Sequence, residues 1–139
     1  MTHDPTYSLD AQVGFLMRRA NQRHLALFSH QVRDLTPTQF AALAKLCELG
    51  QVSQNALGRA IAMDGATIKG VVDRLRNKGF VTSRPDPNDQ RRIFLEPTDA
   101  GVATFGSMVA NAETVTRNTL APLDAAEQQE FLRLLAKLT

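Results

Sequence analysis

The chain has 139 residues, 43% of them hydrophobic, with 16 Lys and Arg against 14 Asp and Glu and a single cysteine. That length favours one unit with a real core. One cysteine excludes an intrachain disulfide framework and a Cys-rich zinc site, and it fits a reducing, cytoplasmic compartment. No apolar run reaches the ~18 residues of a membrane span, and no basic stretch followed by an apolar run marks a signal peptide.

In chain order, residues 1–7 are polar, carry Pro5 and are expected to fray. From 9 to 32 the apolar residues Val13, Leu16, Met17, Ala20, Leu27 and Phe28 recur at helical spacing. Thr36-Pro37 reads as N-cap and first helical residue, with Gln39 completing a capping box. That helix carries Phe40, Leu43, Ala44, Leu46 and Cys47 and stops at Gly50. Ser53 caps a short helix containing Ala56, Leu57, Ala60 and Ile61. Asp64 caps the next, whose Ile68, Val71, Val72 and Leu75 form an inward stripe. Gly79 ends it.

Phe80-Val81-Thr82 and Ile93-Phe94-Leu95 read as two strands joined by a loop over 85–91. Thr98 starts a long helix to about Leu120, and Pro122 breaks it. Asp124 caps a last helix with Phe131, Leu134, Leu135 and Leu138 on one face. The expected fold is mainly α with a small β-hairpin. Two short helices, a tight turn and a hairpin make a winged helix-turn-helix over 36–96. The flanking helices, 9–32 and 98–139, are too apolar on one stripe to stand alone. They are expected to pack together and against a second copy, as a helical dimerisation region.

The charge is uneven. Residues 59–92 hold eight basic and four acidic residues, whereas the rest of the chain holds eight basic and ten acidic ones. A basic middle on a near-neutral chain is the footprint expected of a nucleic-acid contact. On the second helix of the pair, the inward stripe leaves Ala66, Thr67, Lys69, Gly70, Asp73 and Arg74 facing outward. Its first half is small and uncharged apart from Lys69, which suits close approach to base edges in a major groove. Gly65 and Gly70 each cost about 1 kcal/mol against Ala in a helix interior, and close approach to another surface is a reason to keep them. The alternative is a solvated face with incidental glycines.

In the hairpin, Asp86-Pro87-Asn88-Asp89 is turn chemistry and needs no ligand. Arg91 and Arg92 are adjacent on a strand, so at least one projects outward, and a narrow minor groove attracts arginine. Asp89 can orient Arg91 by a charge-assisted bond. The alternative is a surface ion pair worth little. The DNA-binding candidates are Ser53, Ala66, Thr67, Lys69, Gly70, Arg74, Asp89, Arg91 and Arg92.

The run from Asp64 to Gly101 resembles the MarR family of bacterial transcription regulators. The likeness rests on Val72-Asp73-Arg74-Leu75, Lys78-Gly79-Phe80-Val81, Asp86-Pro87-Asn88-Asp89-Gln90-Arg91-Arg92 and Thr98-Asp99-Ala100-Gly101. Leu35-Thr36-Pro37-Thr38-Gln39-Phe40 and the helix order extend it over nearly the whole chain. Pro97 departs from the leucine that usually precedes the threonine, and Lys69 and Gly70 occupy positions that vary in the family. The resemblance implies a homodimer on a pseudo-palindromic double-stranded operator, usually repressing a nearby operon. Recognition helices would enter major grooves and wing arginines the minor groove. It also implies a small effector, often an aromatic acid, bound between the dimerisation helices and the DNA-binding lobe, and no cofactor.

Arg18, Arg19, Arg23 and His24 are the effector-binding candidates, because an anionic effector needs a cation. Arg18 and Arg19 lie beside the apolar stripe, where they either line a pocket or make ion pairs between subunits. The Arg-Arg-Ala-Asn-Gln-Arg-His run resembles a subgroup that senses aromatic carboxylates or their acyl-coenzyme A thioesters. His24 and His30 are six apart, which is not a metal pair on one helix face. Cys47 raises a redox-sensing alternative within the family, although its apolar neighbours read as a small buried hydrophobe. A low-specificity architectural winged helix is another alternative. An enzyme is not expected: the chain has no Gly-rich phosphate loop, no His-Glu-x-x-His site and no nucleophile with a neighbouring base.

Overall fold

The computed structural model describes residues 6–139, so residues 1–5 of the segment expected to fray lie outside the described residues. Six helices and three strands follow in order. The helices are α1 (Val13–Gln31), α2 (Pro37–Leu49), α3 (Gln54–Ala60), α4 (Gly65–Asn77), α5 (Asp99–Leu120) and α6 (Ala125–Lys137). The strands are β1 (Val52–Ser53), β2 (Val81–Asp86) and β3 (Asp89–Pro97). The chain divides into two compact units, one of residues 32–110 and one of the N-terminal segment to Gln31 with 111–139. Among the described residues no helix is long and apolar enough to cross a membrane.

The caps act where the side chains dictate. Thr36 accepts from the Gln39 N–H at 3.2 Å while Gln39 Oε1 accepts from the Thr36 N–H, a reciprocal capping box. Ser53 caps α3 through the Ala56 N–H, and Asp64 caps α4 through the Thr67 N–H at 2.8 Å. Asp124 and Glu127 form a second capping box at the start of α6. Gly79, at φ 80°, turns the chain out of α4, a conformation glycine adopts without a Cβ clash.

Three expectations are corrected. The first helix does not run unbroken from residue 9: Leu9–Ala11 is a 3-10 turn, and α1 begins only after Gln12, whose backbone is extended. The hairpin strands are longer than three residues, because Arg84-Pro85-Asp86 and Asp89–Arg92 extend them and leave a two-residue turn, Pro87-Asn88. Pro85 is tolerated because β2 is a sheet edge and needs no outward amide. The third strand, β1, is unforeseen. It pairs Val52 with Leu95 and Ser53 with Phe94, in the order β1-β3-β2.

The winged unit is built around Ala42, Leu43 and Leu46 of α2, Leu57 of α3, Ile68, Val72 and Leu75 of α4, and Val81 and Leu95 of the hairpin, all almost fully buried. The inward stripe of α4 is the expected one. Phe105 of α5 stacks obliquely on Phe40, with ring centroids 5.8 Å apart. The start of α5 is tied to the exit of α4. The Thr98 hydroxyl donates to the Gly79 carbonyl at 2.6 Å and accepts from the Gly101 N–H, while the Thr98 N–H donates to the Phe80 carbonyl. Gly101 is required here, because a Cβ would fall 2.1 Å from the Phe80 carbonyl oxygen.

The other unit buries Val115 and Leu120 but leaves much of its apolar surface open. Val13, Leu16, Met17, Phe131, Leu132, Leu134, Leu135 and Leu138 are all more than a third exposed.

Candidate nucleic-acid interface

Helix α4 carries five of the sequence candidates on its outward face. Asp64 organises its first turn, and the backbone N–H of Thr67, then the Thr67 hydroxyl, hold that carboxylate below its ordinary value, with burial opposing weakly. Gly65, Ala66 and Thr67 are exposed in this turn. Among the described residues, no atom would meet a Cβ on Gly65, and one on Gly70 would touch only an Arg74 guanidinium nitrogen, at 3.3 Å. Neither glycine is therefore demanded by packing within the chain, and the helix face above them is open.

The outward charges are paired with one another. Lys69 Nζ lies 3.0 Å from Asp73 Oδ2, and Arg76 Nη1 lies 3.9 Å from Asp73 Oδ1 and donates to the Ser83 hydroxyl. Arg74 is exposed and turns back to the Gly70 carbonyl. Ser53 is half-buried, and its hydroxyl is engaged as the α3 cap.

On the hairpin, the pairing register jumps from Pro85 opposite Ile93 to Asp86 opposite Asp89, so Gln90, Arg91 and Arg92 have no partner across the ladder. Such bulges re-aim side chains. Arg91 is 94% exposed at its side chain, and its Nε lies 3.6 Å from Asp89 Oδ1, which also accepts the Arg91 N–H. Arg92 is half exposed and lies 3.9 Å from Asp86, whose carboxylate is buried. Arg84 lies over the Phe94 ring at 6.0 Å. Arg76, Arg84 and Asp86 were not among the sequence candidates, and only the turn chemistry at Asp86 gave a signal.

The effector candidates divide. Arg18 and Arg19 are exposed, each with its guanidinium 5.8 Å from the Phe15 ring centroid. Arg23 is committed elsewhere: it donates to the Asn118 and Thr119 carbonyls, 2.7 Å each, capping the C-terminus of α5. His24 Nδ1 is 2.9 Å from the Thr119 hydroxyl, which gives its one proton to the Val115 carbonyl. With that proton engaged, the hydroxyl oxygen is left to accept from Nδ1. His24 alone of the four lines a groove of about 380 Å³. Its walls are apolar (Met17, Leu120, Phe131, Leu132, Leu135), with Asn21, Thr116 and Thr119 supplying polar groups. Burial pushes the Cys47 thiol above its ordinary value, which disfavours the reactive thiolate.

Known proteins share this architecture. The chain is 40% identical over 134 residues to the HTH-type transcriptional repressor NicR of Pseudomonas putida, an alignment spanning 95% of this chain and 85% of NicR. A probable transcriptional regulator from Pseudomonas aeruginosa superposes with a TM-score of 0.91 at 47% identity, covering 95% of this chain and all of that one. Bordetella bronchiseptica BpsR, whose DNA binding is regulated by 6-hydroxynicotinic acid, superposes with a TM-score of 0.90 at 35% identity, covering 98% of this chain and all of that one. The MarR family pattern matches residues 35–93, the stretch from the α2 cap into β3. With its winged helix and these relatives, the chain belongs to the MarR family of transcriptional regulators.

Proposed function

We propose that this chain is a homodimeric repressor, bound to a pseudo-palindromic operator and released from it by a small aromatic carboxylate. The observation that carries the reading is the open first half of α4 set beside a wing whose Arg91 is 94% exposed. A small, uncharged helix start admits base edges, and a free arginine on a bulge suits the negative potential of a minor groove. Ala66, Thr67, Lys69, Gly70 and Arg74 face the bases or phosphates, with Ser53 at the helix pair's edge. Asp89, Arg91 and Arg92 anchor the wing. Residues 36–96 carry the DNA-binding lobe and 9–32 with 98–139 the dimerisation region, although the first part of α5, to Ala110, packs within the winged unit.

The exposed apolar faces of α1 and α6 support the homodimer, because they would otherwise stay in water. The repressor NicR and the acid-regulated BpsR support the output and the effector class. On α1, Arg18 and Arg19 are the cations free for a carboxylate, and His24 offers a hydrogen-bonding edge in a largely apolar groove. Arg23, already holding two helix-end carbonyls, serves the helix rather than the ligand. The effector acts by population shift, limited by its differential affinity for the DNA-bound and free conformations.

The test is fluorescence anisotropy on duplexes tiled across the gene's own promoter region, titrated with 6-hydroxynicotinic acid, hydroxybenzoic acids and their coenzyme A thioesters. One duplex should bind well above random DNA and be released by a free acid, and Arg18→Ala or Arg19→Ala should blunt release without weakening binding. Equal affinity for every duplex would replace this reading with an architectural one. Release by peroxide that Cys47→Ser abolishes would favour redox sensing instead.

A further inference from the structure

The two wing arginines differ in what stands behind them. Asp89, which faces Arg91, is itself 44% exposed at its side chain, and such a pair in water constrains little. Asp86, which faces Arg92, is 8% exposed at its side chain. Its Oδ1 accepts the Asn88 N–H at 2.8 Å, fixing the two-residue turn, and its Oδ2 lies 3.9 Å from Arg92 Nη1. It sits at the register jump, at the root of the stretch that carries both arginines. A buried carboxylate is screened less than an exposed one, and it must be compensated. Arg92 is the cation that approaches it.

We propose that Asp86 is a positioning residue for DNA binding: through one buried carboxylate it closes the wing turn and restrains Arg92 toward a phosphate, leaving Arg91, which is nearer its carboxylate but paired only with the exposed Asp89, as the more mobile probe. The proposal rests on the DNA-binding reading and assigns unequal roles within it. Phosphate contacts set register, whereas a groove-entering side chain must adapt to the bases it meets. The more restrained arginine suits the first task and the more mobile one the second.

The test uses Asp86→Asn, which keeps an oxygen for the Asn88 N–H and removes only the charge. Loss of a negative charge near DNA strengthens binding by itself, so the sign of the effect is informative. Positioning predicts roughly five- to tenfold weaker binding and a salt slope smaller by about one. In an Arg92→Ala background the same substitution should be neutral or strengthening. Tighter binding by Asp86→Asn alone, or an equal loss in both backgrounds, overturns the proposal. In the free protein, nitrogen-15 relaxation at the arginine Nε atoms should show Arg92 more ordered than Arg91, with the difference abolished by Asp86→Asn. Equal mobility in the unmodified chain also overturns it. The relaxation measurement decides the tether even if the chain binds no duplex, an outcome that would defeat the DNA-binding reading separately.

Discussion

Lys69 and Asp73 lie one helical turn apart on α4 with 3.0 Å between Nζ and Oδ2. The one cation in the open half of the recognition helix is therefore presented with a counter-charge. Base contact by Lys69 requires this exposed pair to break, at a cost of about 0.3–0.5 kcal/mol for an i,i+4 helix pair. A correct base can repay that with about 1–3 kcal/mol of discrimination. Lys69→Ala is therefore expected to lower the ratio of operator to competitor affinity more than it lowers competitor affinity. Competition anisotropy measures both, and an equal loss on both duplexes would make Lys69 a phosphate contact.

Arg91 projects from the bulge with almost its whole side chain in water. Arg91→Ala should weaken operator binding by at least about tenfold, or 1.4 kcal/mol, and leave the dimer intact by light scattering. Unchanged affinity would remove the wing from the interface.

Gly101 has the Phe80 carbonyl where its side chain would be. That carbonyl also accepts the Thr98 N–H, so it is poorly placed to retreat. Gly101→Ala is expected to cost at least about 1–3 kcal/mol by overpacking. Urea unfolding would read this directly, and a stability within error of the unmodified chain would mean that the α4–α5 junction is softer than its hydrogen bonds indicate.

Asp64 carries a pH signature. Its folded-state pKa lies below the ordinary value, so its ionised cap stabilises fully above the unfolded pKa and is lost as pH falls through the lower folded one. Asp64→Asn keeps a capping oxygen without the charge. The melting-temperature gap between the two proteins should be constant near neutrality and close below about pH 4. A gap that persists unchanged into stronger acid would mean that the charge of Asp64 is not what stabilises the cap.

The caps were legible because each is one side chain acting within three residues: Thr36, Ser53, Asp64 and Asp124 need no tertiary context. The inward stripe of α4 was legible for the same reason. The two-residue strand β1 was not, since it is too short for any alternation and exists only because Leu95 and Phe94 lie opposite. Pro85-Asp86 reads as loop from composition, yet the sheet edge tolerates it as strand. Side-chain commitments were the least legible. Nothing local distinguishes Arg23, bound to helix-end carbonyls 95 and 96 residues away, from Arg18 and Arg19. The unequal burial of Asp86 and Asp89 likewise emerges only with the register jump.

The order β1-β3-β2 leaves two open edges, and both are poor templates for another strand. One is two residues long, and the other carries Arg84 and Pro85. The winged unit is thereby guarded against edge-to-edge aggregation. The exposed apolar faces of α1 and α6, where helix packing can stop at two chains, are the surfaces the proposed dimer would use.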